Sequence, residues 1–579
     1  MTKLIKYIKS LCTITGALFI VGGCFTLFVG WWNSGKIDIL PHTILTIDMN
    51  HNYSEVPTVS IVDELWGKQS MSLEKLLKAI EFAAIDERID GIVARIDISN
   101  LEIAQIQDVA RAVTNYKSSG KPAYVFSQGF GPLGQGNREY YLATFFDKIY
   151  MQPHTTIGLT GISIEIPFFQ KLMQKIGINA EFYTRYQYKT AMASFTDSTM
   201  SEPMREEMLN LGTNLMNEIK ADIIHNRQLK QDIDELINTA PLSAEKGLDV
   251  GLIDELMYLP QLEEKLKEEG SENFVSVEDY ASQIYSNTGD IPTIAYLNLS
   301  GIINTGETSS DIDGEYMLGS QSVLADLAEI QDLDNLRALI VRIDSPGGSY
   351  NAADEIYFAL KQLKKNKNIP IIVSQSGYAA SGGYFISLAG DYITAEPTTV
   401  TGSIGVLGGK FTAQKLWEKL EINWDGVKIG DNAGILSLNQ PFTAGEKANF
   451  NASLDEVYND FTAKVVENRK LTRNIDEIAR GRVWTGRQAL ELGLIDDLGG
   501  LNAAIYEAKK RGEIEDGQKF KIISFPLEKT FGEKLRDLIL NGNVGVNKII
   551  GNGGVDIRYL KLFKRWQYDT VLLPFSINM

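Results

Sequence analysis

"GLDVGLIDEL", residues 247–256, returns as "ALELGLIDDL", residues 489–498, with six identities in ten. Three further pairs keep the same order: "DERIDGIVARID" (86–97) with "LDNLRALIVRID" (333–344), "KPAYVFSQGF" with "IPIIVSQSGY", and "DKIYMQPHTTIGLTGI" (147–162) with "DYITAEPTTVTGSIGV" (391–406). The offsets, between 242 and 248 residues, exceed any solenoid unit, so the chain reads as two fused copies of one domain. Within each copy, short apolar runs such as "GIVARID", "PAYVFS" and "KIYMQ" alternate with amphipathic stretches such as "SLEKLLKAIEFAA". That alternation predicts βαβ units around a buried, largely parallel sheet, and the fold class is α/β, twice. A longer helical block is expected in each copy, at residues 200–227 and 444–470. "NTGDIP", residues 287–292, is short and rich in turn formers and reads as the linker. The expected divisions are 1–32, 33–286 for the first copy, 287–511 for the second, and a C-terminal extension, 512–579, with no counterpart in the first copy.

With 579 residues the chain exceeds one typical domain, and a net charge of −18 argues against a nucleic-acid partner, which needs a basic surface. The start is different in kind. "MTKLIKYIKS" carries three lysines and no acid, and a run of 22 residues without a charge follows, closed by Trp31 and Trp32. Residues 11–32 are long enough to cross a bilayer core and end in rings that favour its interface. The lysines should remain in the cytoplasm, placing the rest on the extracytoplasmic side of a single-pass anchor in contact with membrane lipid. A cleaved signal peptide and a lipoprotein-type site at Cys24 are the competing readings. Cys12 and Cys24, the only cysteines, both lie in this segment, so disulfide and thiol chemistry are not expected beyond it. His42, His51, His154 and His225 are scattered, and neither a metal cluster nor a cofactor motif is evident.

Duplicated halves diverge where chemistry is kept in one of them. "QSGYAASGGYFISLAG", residues 375–390, presents Ser381 among small residues at the start of an apolar helical run, in the manner of a nucleophile. Gapless alignment of Asp147 with Asp391 puts Asn137 opposite Ser381, and Arg138 and Glu139 opposite Gly382 and Gly383. "DSPGGS", at the end of the strand "ALIVRID", likewise answers "DISNL", with Asn100 and Leu101 in place of Gly347 and Gly348. A Pro-Gly-Gly turn at a strand end lets backbone N–H groups meet a ligand with no Cβ in the way, the makings of an oxyanion hole.

A serine nucleophile needs a base, and none of the four histidines lies in a segment suited to the role. A lysine made neutral by burial is the remaining candidate. At its reference pKa a lysine is neutral in only about 4 molecules in 10,000 at pH 7, so it must be shifted down by about 3 units, at a cost of about 4 kcal/mol. "EFYTRYQYKTAMASF", residues 181–195, offers Lys189 beside Tyr186, Tyr188, Ala191, Met192 and Phe195; Lys428, in the second copy, is the rival.

"GYAASGGYFIS", "DSPGGS", "TGSIGV" and "YQYKTAMASF", with the N-terminal anchor, together resemble the long, duplicated form of the signal peptide peptidase A family, also called protease IV. The resemblance implies a tandem of Clp-protease/crotonase-like domains behind one transmembrane helix, and a Ser-Lys dyad. It makes Ser381 the nucleophile, Lys189 the general base, Ser403 of "TGSIGV" the residue that orients the lysine, and Gly348 and Gly382 the oxyanion donors. It further implies a homotetramer on a bacterial cytoplasmic membrane, with remnant signal peptides as substrates. A crotonase-like acyl-CoA enzyme and a catalytically silent scaffold for membrane proteases are the alternative readings.

Overall fold

The computed structural model describes residues 38–56, 71–131, 134–284, 291–310 and 316–527. The expected anchor at 11–32, most of the expected linker and the chain after residue 527 lie outside the described residues.

Each copy builds one sheet with the same strand order. In the first copy all six strands are parallel, ordered Glu255–Leu256, Lys148–Met151, Ala123–Ser127, Ile89–Arg95, Thr43–Asp48, Asn273–Ser276. In the second the same places are taken by Asp497–Leu498, Tyr392–Ala395, Ile371–Ala380, Leu336–Ser345, Thr293–Ser300 and Lys521–Phe525. Burial on both faces explains the continuous apolar runs: every residue of Thr293–Ser300 is buried. The two long helical blocks are present as Glu202–Arg227 and Ala444–Arg469, each started by a hydroxyl cap, Ser201 or Thr443.

One boundary is corrected. Lys521–Phe525 pairs in parallel with Thr293–Leu297, as Asn273–Ser276 pairs with Thr43–Thr46, so the second copy does not end at residue 511. The ten residues between Arg511 and the strand read as an extension because they carry no apolar periodicity.

The halves share a core. Ile294, Tyr296, Ile340 and Ile372 of the second sheet pack into the same apolar cluster as Leu76, Ile80, Ile106 and Val113 on the first copy's helices Leu73–Ile85 and Ile103–Lys117. The opposite face of the second sheet is covered by that copy's own helices, with Val323, Ile356 and Tyr384 in the cluster. At the seam Arg342, 0 % exposed, donates to Glu55 Oε1 at 2.7 Å, Asp108 Oδ2 at 2.5 Å and Ser374 Oγ at 2.9 Å. A guanidinium does not shed its proton, so two carboxylates from the other copy must compensate it. A second seam is a two-stranded antiparallel ribbon, Asn179–Arg185 against Val406–Thr412, with Arg185 opposite Val406.

Candidate active site

The strand Ile371–Ala380 runs through the second sheet into a sharp bend at Ser381, which caps the short helix Gly382–Ser387. Ser381 has φ 57° and ψ −113°, a conformation that costs an L-residue energy and persists only where neighbours enforce it. Its N–H donates to Gly402 O at 2.8 Å, and its carbonyl accepts from Phe385 N at 2.8 Å. The bend is therefore pinned from both sides.

The ribbon between the halves brings Lys189 to this bend. Lys189 follows the strand end at Arg185, and Ser403 precedes the opposing strand's start at Val406, so the register Arg185↔Val406 fixes their separation. Lys189 Nζ donates to Ser403 Oγ at 3.0 Å and to Ser403 O at 3.1 Å, and lies 2.5 Å from Ser381 Oγ. Lys189 is 2 % exposed and Ser381 0 %. Burial holds the ammonium down at about 7, while the negative charge of Glu207 pulls it back up. Tyr188, Ala191 and Met192 are buried as expected around it; Tyr186 is not, and its ring packs on Tyr458.

Gly348 stands at φ 152°, and a Cβ there would lie 2.0 Å from Ile303 O, so no other residue fits. The turn is held by Ile303 N–H donating to Gly347 O at 2.9 Å and Ser349 N–H donating to Ile303 O at 2.8 Å. Gly382 opens its helix, where N–H groups have no intrahelical acceptor, and its Cβ position is 3.4 Å from Gly348 N. Two backbone N–H groups thus sit side by side next to Ser381. A near-neutral amine against a serine hydroxyl, with paired amides beside it, can take a proton, let the oxygen attack a carbonyl and hold the resulting oxyanion.

In the first copy these positions are filled. The Asn137 side chain donates to Gly161 O at 2.9 Å and accepts from Gly161 N at 3.1 Å, which makes it a brace. Glu139 accepts from Ser99 N–H at 3.0 Å, and Leu159, opposite Ser403, is fully buried. The structure brings Ser381, Lys189, Ser403, Gly348 and Gly382 together, and leaves Lys428 exposed in a surface loop.

Three neighbours were not singled out in the sequence. Gly481, at φ 89°, allows its segment to press on Lys189: a Cβ there would lie 2.4 Å from Lys189 N. Arg482 accepts Ser403 N–H on its carbonyl at 2.7 Å and stacks its guanidinium over Tyr188 at 3.9 Å. Glu207 is buried on the helix Glu202–Arg227 and accepts from Val483 N–H at 2.8 Å. The signal for Glu207 was available: it interrupts the apolar stripe Met204, Met208, Leu211, Leu215, where a charge is out of place.

Comparison with known proteins gives the family. The model for "Peptidase family S49" matches residues 115–272 and 363–515, one segment in each copy, and that for "Clp protease" matches 312–399. "Serine protease SPPA, chloroplastic" of Arabidopsis thaliana is 29% identical over 85% of this chain and 73% of its own length. "Protease 4" of Haemophilus influenzae is 28% identical over 75% of this chain and 72% of its own. "Putative signal peptide peptidase SppA" of Enterococcus faecium is 32% identical over 38% of this chain and 64% of its own. The matched segments contain Lys189 in the first copy and Ser381 and Ser403 in the second and together span more than half of the sequence: the chain belongs to peptidase family S49, and it is a serine peptidase.

Proposed function

We propose that this peptidase is a membrane-anchored endopeptidase that degrades cleaved signal peptides with a Ser-Lys dyad split between its two copies. The observation that carries the dyad is the 2.5 Å separation of Lys189 Nζ and Ser381 Oγ in a buried setting. Neutral Lys189 takes the Ser381 proton as Oγ adds to the scissile carbonyl. The N–H groups of Gly348 and Gly382 receive the oxyanion, and Ser403 keeps the amine aimed. Lys189 then returns its proton to the leaving amine, which departs and leaves an acyl-serine. A water, deprotonated by Lys189, adds to that ester; the proton goes back to Ser381 Oγ as the acid product leaves.

The charge-free run at 11–32 and the printed name of the Enterococcus faecium relative support signal peptides, which are apolar and membrane-associated, as the substrate class. Under this reading the catalytic part faces the extracytoplasmic side of a bacterial cytoplasmic membrane, and the chain works as a homotetramer.

The test is mass-spectrometric mapping of a serine-reactive covalent inhibitor on the full chain in detergent, alongside digestion of a synthetic signal peptide in vesicles. Label at Ser381 that is lost in Lys189→Ala and kept in Lys428→Ala is the expected result. Label elsewhere, or loss with Lys428 instead, overturns the dyad; labelling at Ser381 with an undigested signal peptide overturns the substrate class alone.

A further inference from the structure

The segment Gly481–Val483 touches every moving part of the dyad. Gly481 lies against the Lys189 backbone, and Arg482 O accepts Ser403 N–H at 2.7 Å. Val483 pairs with Gly402, whose carbonyl accepts Ser381 N–H at 2.8 Å. From the helix side one side chain secures this segment: Glu207, 3 % exposed, whose Oε1 accepts Val483 N–H at 2.8 Å.

Holding an N–H needs only an oxygen acceptor, and a glutamine amide would serve without the penalty of burying an acid. A carboxyl at this place therefore calls for a reason beyond the hydrogen bond, and the reason is its neighbour. We propose that Glu207 is a positioning residue for the dyad that also sets the proton affinity of Lys189: it pegs Gly481–Val483 against Lys189 and Ser403, and in its ionised form it stabilises the protonated lysine.

The charges facing this carboxyl are few. Lys189 lies on the ribbon side, Arg482 on its own segment, and Glu206 precedes it on the helix; Arg482 and Glu206 already pair with each other at 3.0 Å. Burial lifts Glu207 to about 8, while the Val483 N–H, Arg482 and Lys189 pull it down. Lys189, held at about 7 by burial, is raised by Glu207 in return. The two groups thus titrate over one range, and each proton state favours the other. Ionised Glu207 with protonated Lys189 is the inactive arrangement, because the base is occupied. Removing the charge must shift Lys189 toward its neutral form and extend activity to lower pH.

The inference rests on Lys189 acting as the base. Its test is the pH profile of kcat/KM on a fluorogenic peptide, measured on the full chain in detergent for wild type, Glu207→Gln, Glu207→Leu and Lys189→Ala. Glu207→Gln keeps the peg and loses the charge, so its acidic limb should move down by about half a unit or more. One unit below the wild-type limb it should then retain over twice the wild-type fraction of plateau activity, roughly. Glu207→Leu loses the peg as well, and should combine the same displacement with a lower plateau. A Glu207→Gln limb that superimposes on wild type, or a uniform loss without displacement, overturns the proposal, and this variant decides the matter even if Glu207→Leu fails to fold. Undiminished activity in Lys189→Ala would instead remove the dyad itself, a different failure with a different signature.

Discussion

Burying a lysine for use as a base destabilises the fold, and Lys189→Met measures by how much. Folded Lys189 stands at about 7 against 10.5 for an ordinary lysine. Below pH 7 the side chain is charged in both the folded and unfolded states, and the fold carries the whole penalty of a desolvated ammonium, about 5 kcal/mol at 1.36 kcal/mol per unit. Between pH 7 and 10.5 the unfolded chain binds a proton that the folded chain does not, so wild-type stability rises with pH. Above 10.5 both states are neutral and the penalty vanishes. Methionine has nearly the same length and no charge, so Lys189→Met should be inactive and more stable than wild type. The gain should be largest at low pH and should narrow by about 3 kcal/mol between pH 6 and pH 9. Urea unfolding of the full chain in detergent, at matched pH values and in a Ser381→Ala background to prevent self-cleavage, reads this difference. A gap that does not change with pH would refute the reasoning, because it would show that Lys189 is not desolvated; a constant offset from the added apolar group would not.

Gly348→Ala would drive a methyl to 2.0 Å from Ile303 O at a φ that only glycine takes, displacing one oxyanion donor. The kcat of the variant on a peptide substrate should fall by about 10²–10³-fold with little change in KM, and activity within twofold of wild type would count against the assignment of that N–H. Arg342→Leu leaves Glu55 and Asp108 buried without their cation. The urea midpoint should fall by the equivalent of about 3–5 kcal/mol, and an unchanged midpoint would mean that the seam is not held by this group.

How far the sequence could be read follows from what each feature requires. The duplication and the parallel sheets were legible because strands buried on both faces must be apolar throughout, as "ALIVRID" and "GIVARID" are. Ser381 and the Gly347–Gly348 turn stood out because one copy has them and the other does not. Lys189 was one candidate of two, since burial depends on the register of a ribbon whose strands lie more than 200 residues apart. Lys521–Phe525 went unseen because an edge strand of five residues, mostly half-buried, carries little periodicity. The Arg342–Glu55–Asp108 cluster was illegible for a related reason: charged residues read as surface until a second domain is folded over them.

That last point bears on why the reactive pair is divided between copies. In an isolated first copy, Asn179–Arg185 would lack its partner strand and Lys189 would be open to water, near its ordinary pKa and charged. In an isolated second copy, Ser381 would keep its bend but have no amine beside it. The ribbon, the shared apolar cluster and the Arg342 network form together, so the desolvation that turns a lysine into a base is produced by the closure of one half on the other. Base strength is in that sense a property of the interface, and any substitution that loosens the seam should raise the Lys189 pKa before it unfolds the chain.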